Sequence, residues 1–308
     1  MSQSIVLPSY SVPGKVFLLG EYAVLAGLPA IVATVPPRFV MKGGAAPQPH
    51  PDSPVGRLLH WARQTGLPEF SFQFQDPYQG AGGFGYSTAQ FAMVYLALVQ
   101  SAGLEARQWQ DVWKLYRELM KDEKLKPSGA DLIAQWQGGV TYFDPTEVLT
   151  MDLWALFDWS NLLIFSATQQ VGRKVPTHHH LATLAGRGFP DQDLPFLSEL
   201  EKVLRQGIQA IQEGEPVVLG KAMNCYAETL ARAGLECEAT RADRNSLSRF
   251  SGVLGVKGTG AMQSDAVIVL LRRNAEDREE VIRTAQDRGL NLVSEGLTCQ
   301  MGVTCQYA

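Results

Sequence analysis

The chain has 308 residues, of which 45% are hydrophobic and 19% are charged, as in a globular protein large enough for about two domains. Its formal net charge of −4 argues against nucleic acid or an anionic membrane as a main partner, because both require a basic face. No apolar run approaches the roughly 20 residues of a membrane span, so we expect a cytoplasmic protein.

The first half of the chain is predicted to alternate strands and helices. Apolar runs indicate strands, and one of these runs is closed by Pro36-Pro37, which we expect to end the strand. Helical spacing of apolar residues indicates helices between the strands. The predicted elements are strands over 15–19, 30–35 and 70–74 and helices over 55–64, 88–101 and 109–122.

The character of the chain changes near Asp152. We place a boundary near residue 155, which gives an N-terminal domain over 1–155 and a C-terminal domain over 156–308. The order of elements predicts an α+β fold. In the second half, the predicted elements are strands over 162–165, 253–256, 266–271 and 291–293, helices over 197–211, 217–233 and 276–288, and a final strand after Thr298.

A lysine, Lys15, begins the first predicted strand, and the pair Glu21-Tyr22 follows the glycine at its far end. Burying an ammonium group is costly unless an anionic partner lies beside it. The alternative is a lysine whose stem is covered while its charge reaches the surface. The sequence of this segment leaves both open.

Residues 82–89 read Gly-Gly-Phe-Gly-Tyr-Ser-Thr-Ala and lead directly into an apolar helical run. Free backbone N–H groups and the positive end of the helix dipole meet at such a helix start, and glycine lets an anion approach the backbone. The segment therefore predicts a phosphate-binding loop.

Two further turns carry polar residues. Pro127-Ser128-Gly129 forms a rigid turn that would hold Asp131 at a fixed angle, although an aspartate after a turn is often only a helix cap. Residues 257–265 lie between two predicted strands, either as a plain hairpin turn or as a source of backbone donors to a substrate or phosphate.

Together and in this order, the four segments resemble the GHMP family of small-molecule kinases, which includes galactokinase, homoserine kinase, mevalonate kinase and phosphomevalonate kinase. The resemblance spans essentially the whole chain, and Gly-Glu-Tyr-Ala-Val-Leu at 20–25 is most similar to the mevalonate and phosphomevalonate branch. It implies an N-terminal domain similar to ribosomal protein S5 domain 2 and a ferredoxin-like C-terminal domain. It also implies ATP and Mg²⁺ as cofactors and transfer of the γ-phosphoryl group to mevalonate or phosphomevalonate.

The resemblance assigns a role to each segment. Asp131 matches the catalytic aspartate, and Lys15 matches the lysine that would stabilise the product alkoxide. The residues expected to bind the nucleotide are Gly83, Gly85, Tyr86, Ser87, Thr88, Gly258, Thr259, Gly260 and Ala261. The residues expected to contact an anionic substrate are Glu21, Tyr22, Ser128, Gly129, Lys174 and Thr177. The residues expected to hold Mg²⁺ are Ser87 and Glu118, with Glu123 as the alternative acid.

The chain departs from the family pattern in both phosphate loops. Tyr86 stands where the family usually has a serine, and residues 262–265 stand where it usually has more glycines. Two alternatives therefore stay open: a nucleotide- or metabolite-binding protein that has lost catalysis, and a related ATP-dependent decarboxylase. Tyr22, at a position where phosphomevalonate kinases commonly carry tyrosine, favours that acceptor. A second copy of the chain is a further candidate partner.

Overall fold

A computed structural model describes residues 8–45, 48–105, 108–167, 189, 194–260 and 266–306. Within these ranges the strands form two sheets in which every strand pair is antiparallel. Helices pack against both sheets, so the predicted α+β fold is confirmed at this level. No helix of the described ranges is long and apolar enough to cross a membrane.

The first sheet contains the N-terminal strands and the last strand of the chain. Its order is β10-β1-β2-β4-β5, with β3 paired to β2. The bounds of the strands are β1 Ser9–Leu19, β2 Ala30–Gly43, β3 Phe72–Gln75, β4 Val140–Asp144, β5 Leu149–Asp152 and β10 Thr304–Gln306. Strands β4 and β5 were not predicted, and β10 brings the end of the chain back to the N-terminal sheet.

The second sheet has the order β7-β8-β6-β9. Its strands are β6 Leu162–Ala167, β7 Val253–Thr259, β8 Ala266–Leu271 and β9 Leu290–Glu295. The helices are α1 Pro54–Gln64, α2 Tyr86–Ser101, α3 Trp109–Leu119, α4 Ala130–Gln137, α5 Pro195–Gln212, α6 Pro216–Arg232, α7 Glu238–Leu247 and α8 Arg278–Asp287. Helices α4 and α7 are the two of these that the sequence analysis did not predict.

Strand β2 continues through Pro36 and Pro37, so the prediction that these prolines end the strand is wrong. The pairing shifts register there: Gly14 faces Val35 and Pro13 faces Arg38, which leaves the two prolines outside the ladder. A proline cannot donate a ladder hydrogen bond, and a bulge is a position in a sheet that does not require one.

Helix α2 is buried along almost its whole length, from Thr88 to Val99. A helix that is apolar on all sides must be covered on all sides, and this one packs in the main core beside β1 and the neighbouring helices. Its N-terminus is therefore held in a fixed place, directly after the glycine-rich loop.

The two sheets meet where the end of β1 contacts β7. The Thr259 hydroxyl accepts a hydrogen bond from Phe17 N at 2.8 Å and donates to Phe17 O at 3.1 Å. The Lys257 ammonium donates to Phe17 O at 3.3 Å and forms an ion pair with Glu21. Both charged side chains are buried, and the backbone carbonyl of Glu21 accepts a further bond from Tyr226 Oη at 2.8 Å.

Burial dominates the electrostatics of this ion pair. It raises the pKa of the Glu21 carboxyl and lowers the pKa of the Lys257 ammonium, because the cost of desolvating each charge outweighs the attraction between them. Lys15 also acts on the pair: its charge favours ionised Glu21 and disfavours protonated Lys257. The junction thus depends on a charge balance that a single substitution would upset.

Replacing Lys257 with methionine removes the cation and leaves the Glu21 carboxyl buried without it. We expect the free energy of unfolding in urea to fall by about 3–5 kcal/mol, which is typical of breaking a buried ion pair. Arg205→Met, which removes the cation of a surface pair with Glu201, is the control and should leave the unfolding midpoint nearly unchanged. Equal stability of Lys257→Met and the unaltered protein would contradict this description of the junction.

Candidate active site

The site is built around an ion pair between Lys15 of β1 and Asp131 in the first turn of α4. Lys15 Nζ lies 3.0 Å from Asp131 Oδ2. The lysine side chain is 4% exposed and the aspartate side chain is 30% exposed. Lys15 therefore has the anionic partner that its burial requires, and the alternative of a charge that reaches the surface is wrong. The more exposed carboxylate stays accessible to a ligand.

The turn before α4 fixes the direction of Asp131. Gly129 is the N-cap residue with φ of 80°, and a Cβ there would lie 2.5 Å from Cδ1 of Trp113. The indole of Trp113 donates to Ser128 O at 2.7 Å, and Ser128 Oγ accepts from Ala130 N at 3.2 Å. Ser128 and Gly129, predicted as substrate contacts, thus orient the aspartate through the turn.

The glycine-rich loop lies directly against Lys15. Gly83 and Gly85 have φ of 88° and 81°, in the left-handed region that glycine adopts without strain. Phe84 between them is buried and stacks on Tyr78, with ring centroids 4.2 Å apart. The carbonyl of Phe84 accepts a hydrogen bond from Lys15 N at 3.1 Å. The loop is therefore anchored to β1 beside the buried ammonium.

The start of α2 has the features of an anion site. The N–H groups of Tyr86, Ser87 and Thr88 lie in the first turn, where a helix offers no acceptor, and the N-cap Gly85 has no side chain to supply one. The Ser87 side chain is exposed beside them. The ring of Tyr86 packs against Phe39, with centroids 5.4 Å apart. A phosphate group therefore fits this helix start.

Thr88 and Thr259, both predicted to bind the nucleotide, use their hydroxyl groups inside the protein. Thr88 Oγ1 donates to Gly85 O at 3.0 Å and to Gln135 Oε1 at 2.7 Å. Thr259 is bonded to Phe17 at the junction of the two sheets. Gly258 belongs to the same strand, and Gly260 follows it with φ of 77°. The predicted Ala261 and the neighbouring residues 262–265 lie outside the described residues.

The predicted substrate contacts at the end of β1 have two different environments. Glu21 forms the buried pair with Lys257, and its Oε2 atom has no hydrogen-bond partner among the described residues. Tyr22 is 4% exposed, has φ of 62° and meets the ring of Phe189 edge-on at 6.2 Å. A positive φ at a bulky residue is strained, and such strain is concentrated at functional sites. The predicted Lys174 and Thr177 lie outside the described residues.

The acids predicted to hold Mg²⁺ are engaged with basic side chains. Glu118 is 66% exposed and pairs with Lys121 at 2.8 Å, and Glu123 pairs with Arg57. In the described part of the chain, no group of three or more His, Cys, Asp or Glu side chains is arranged to hold a metal ion. Mg²⁺ commonly uses one or two carboxylates together with substrate phosphates, and the exposed Ser87 hydroxyl suits that chemistry.

Sequence reasoning gave no role to Gln135, which lies one turn after Asp131 on α4. Its side chain is completely buried and hydrogen-bonded at both ends of the amide. The signal available in the sequence was weak: a single amide that follows the apolar stretch Leu132-Ile133-Ala134.

Known proteins that resemble this chain in sequence or in structure include small-molecule kinases. The chain is 28% identical over 315 residues to the mevalonate kinase of Aeropyrum pernix, covering 89% of this chain and 92% of that protein. The phosphomevalonate kinase of Streptococcus pneumoniae has a similar structure, with a TM-score of 0.72, 16% identity and coverage of 94% and 98%. The resemblance to the GHMP kinases is confirmed. No protein-family model matches the sequence.

The GHMP kinase fold accommodates acceptors of different chemistry. The galactokinase of Lactococcus lactis, solved with galactose, matches with a TM-score of 0.73, 11% identity and coverage of 97% of this chain and 95% of that chain. At such identities the structural likeness establishes the fold alone. The chemical identity of the phosphoryl acceptor therefore depends on the side chains in the site of this chain.

Gly85→Ala tests the close approach of the loop to Lys15. The new Cβ would lie 2.9 Å from Lys15 Cγ and 3.0 Å from Gln135 Nε2. Gly66→Ala is a matched control, because Gly66 also has positive φ, 73°, but nothing lies within 4 Å of its Cβ position. We expect both variants to lose about 1 kcal/mol of stability from backbone strain, while only Gly85→Ala weakens ATP binding, by about tenfold. Calorimetric titration with equal ATP affinity for the two variants would contradict this geometry.

Proposed function

We propose that the protein is an ATP- and Mg²⁺-dependent phosphotransferase that transfers the γ-phosphoryl group to the hydroxyl of mevalonate or the phosphate of phosphomevalonate. The observation that carries the proposal is the Lys15–Asp131 ion pair beside a glycine-rich loop at a helix start. The similarity to a mevalonate kinase over 89% of the chain supports it.

The ion pair suits the chemistry of an alcohol acceptor. A hydroxyl group attacks a phosphoryl group well only if its proton is removed as the bond forms, and Asp131 would be the base. An aspartate is a weak base, so it needs a cation that stabilises the alkoxide. Lys15 Nζ, 3.0 Å from the carboxylate, would supply that charge at the same oxygen.

The glycine-rich loop would hold the phosphates of the nucleotide. Its N–H groups and the dipole of α2 favour negative charge at Ser87, and a side chain at Gly83 or Gly85 would obstruct the approach. ATP supplies the phosphoryl group, and Mg²⁺, when bound, neutralises charge on the phosphate oxygens. The Ser87 hydroxyl would contact the metal ion, with Glu118 or Glu123 as the further acid.

Of the two acceptors, the presence of a base favours mevalonate. A phosphate group is mostly ionised at neutral pH and needs no proton removed, and a carboxylate beside it would repel it. Tyr22 favours phosphomevalonate on the family pattern. We give the carboxylate more weight because Asp131 would act on the reacting oxygen itself.

The remaining features of the proposal follow the family. The domain over 1–155 would be similar to ribosomal protein S5 domain 2, and the domain over 156–308 would be ferredoxin-like. We propose a cytoplasmic enzyme with a small anionic substrate and without nucleic acid or membrane partners, in which a homodimer is a candidate assembly.

The proposal is tested by release of ADP from ATP with mevalonate, phosphomevalonate, galactose or homoserine as the acceptor. We expect the highest kcat/KM with mevalonate. Asp131→Asn should lower kcat by about 10²–10⁴-fold, the usual contribution of general base catalysis, and leave ATP affinity nearly unchanged.

Asp111→Asn is the control for this variant, since Asp111 is an exposed aspartate on α3 and should tolerate the same change. Activity of Asp131→Asn equal to that of the control would rule out the base. ATP binding without ADP release from any acceptor would favour the binding-protein alternative, and release of carbon dioxide would favour the decarboxylase.

A further inference from the structure

We propose that Gln135 is a positioning residue that sets the glycine-rich loop against the strand of Lys15 and the helix of Asp131. The inference rests on the proposed function, because its consequence for activity requires that this loop bind the nucleotide. It assigns to an uncharged side chain the task of joining the three elements of the site.

The hydrogen bonds of the Gln135 amide reach all three elements. Its Nε2 group donates to Pro13 O of β1 at 2.9 Å and to Gly85 O at the loop's end at 3.2 Å. Its Oε1 atom accepts from Thr88 Oγ1 of α2 at 2.7 Å. Gln135 itself lies on α4, four residues after Asp131 and so on the same face of the helix. One side chain on α4 thus forms hydrogen bonds to β1, to the end of the loop and to α2.

Of the two carbonyl groups that it binds, that of Pro13 lies at an interruption of regular structure and that of Gly85 is shared with other donors. Pro13 lies at the register shift between β1 and β2, where the ladder is interrupted. Gly85 is the N-cap of α2, and its carbonyl also accepts from Ala89 N at 2.9 Å and Thr88 Oγ1 at 3.0 Å. Gln135 is fully buried, so water cannot replace its donors if the amide is removed.

The three hydrogen bonds require a side chain with the length and the amide group of glutamine. Two donors face two carbonyl groups and one acceptor faces a hydroxyl, a combination that glutamine supplies and glutamate or methionine does not. The position that a Cβ of Gly85 would occupy is 3.0 Å from Gln135 Nε2, so the loop backbone is also in direct contact with the amide. Loss of the amide would remove the link between the end of the loop and α4, while the bond from Lys15 N to Phe84 O would remain.

The main experiment compares Gln135→Met with Gln137→Met, the same substitution at an exposed glutamine of the same helix. Hydrogen exchange of the backbone amides of Lys15 and Ala89, which donate to the carbonyl groups of Phe84 and Gly85, is measured in the protein without nucleotide. We expect exchange of these two amides to be about tenfold faster in Gln135→Met and unchanged in Gln137→Met, because the bonds of Gln135 to Gly85 O and Thr88 Oγ1 are lost. With ATP and mevalonate, the KM for ATP should rise and kcat should fall in Gln135→Met alone.

Gln135→Glu separates positioning from simple packing. It keeps the shape and the acceptor for Thr88 but replaces the donor group with an oxygen, so exchange of the Lys15 and Ala89 amides should accelerate as in Gln135→Met. If Gln135→Met does not fold, Thr88→Val removes the third bond with Gln135 in place and should also accelerate exchange of these amides.

Exchange of the Lys15 and Ala89 amides at the rate of the unaltered protein in any folded variant of Gln135 would overturn the proposal. So would an equal effect of Gln137→Met. Failure of the proposed function is recognised separately, since it would be seen in the unaltered protein as an absence of ADP release. The exchange measurement needs neither nucleotide nor acceptor.

Discussion

The rest of the site depends on one constraint: the ammonium of Lys15 is buried and must have a carboxylate beside it. Asp131 meets this need from a different part of the chain and draws the start of α4 against β1. Charges of alternating sign continue from this pair to Glu21 and Lys257 at the junction of the two sheets, and Lys15 influences the protonation of both. The charges of the proposed catalytic pair and those that join the sheets therefore form one connected set.

The glycine-rich loop owes its position to close packing as well as to hydrogen bonds. The loop is anchored from one side by the stack of Phe84 on Tyr78 and from the other by Gln135. Gly85 lies so near Lys15 that no other residue fits there without displacing it. Because α2 is buried along almost its whole length, the start of this helix cannot shift to relieve such a displacement. Rigidity of this kind suits a reaction that depends on positioning.

The sequence was informative where a local pattern carries the chemistry. Lys15, Asp131 and the glycine-rich loop could be found because their segments resemble those of the GHMP kinases in order and in residue type. Contacts between distant segments were beyond reach: β10 pairs Gln306 with Ser9, and Lys257 pairs with Glu21. The course of β2 past its prolines required knowledge of the neighbouring strand. Gln135 follows the Asp131 turn in the sequence but received no role, because an amide becomes informative only when its partners are known.

The central claim is that Lys15 and Asp131 meet at the acceptor oxygen. A crystal structure with mevalonate and a non-hydrolysable ATP analogue tests it most directly, through the distances from this oxygen to the two side chains. The account predicts that a carboxylate oxygen of Asp131 and Nζ of Lys15 both lie within about 3.2 Å of the oxygen. An acceptor oxygen bound beyond the reach of Asp131, with the analogue's phosphates on the loop, would contradict it.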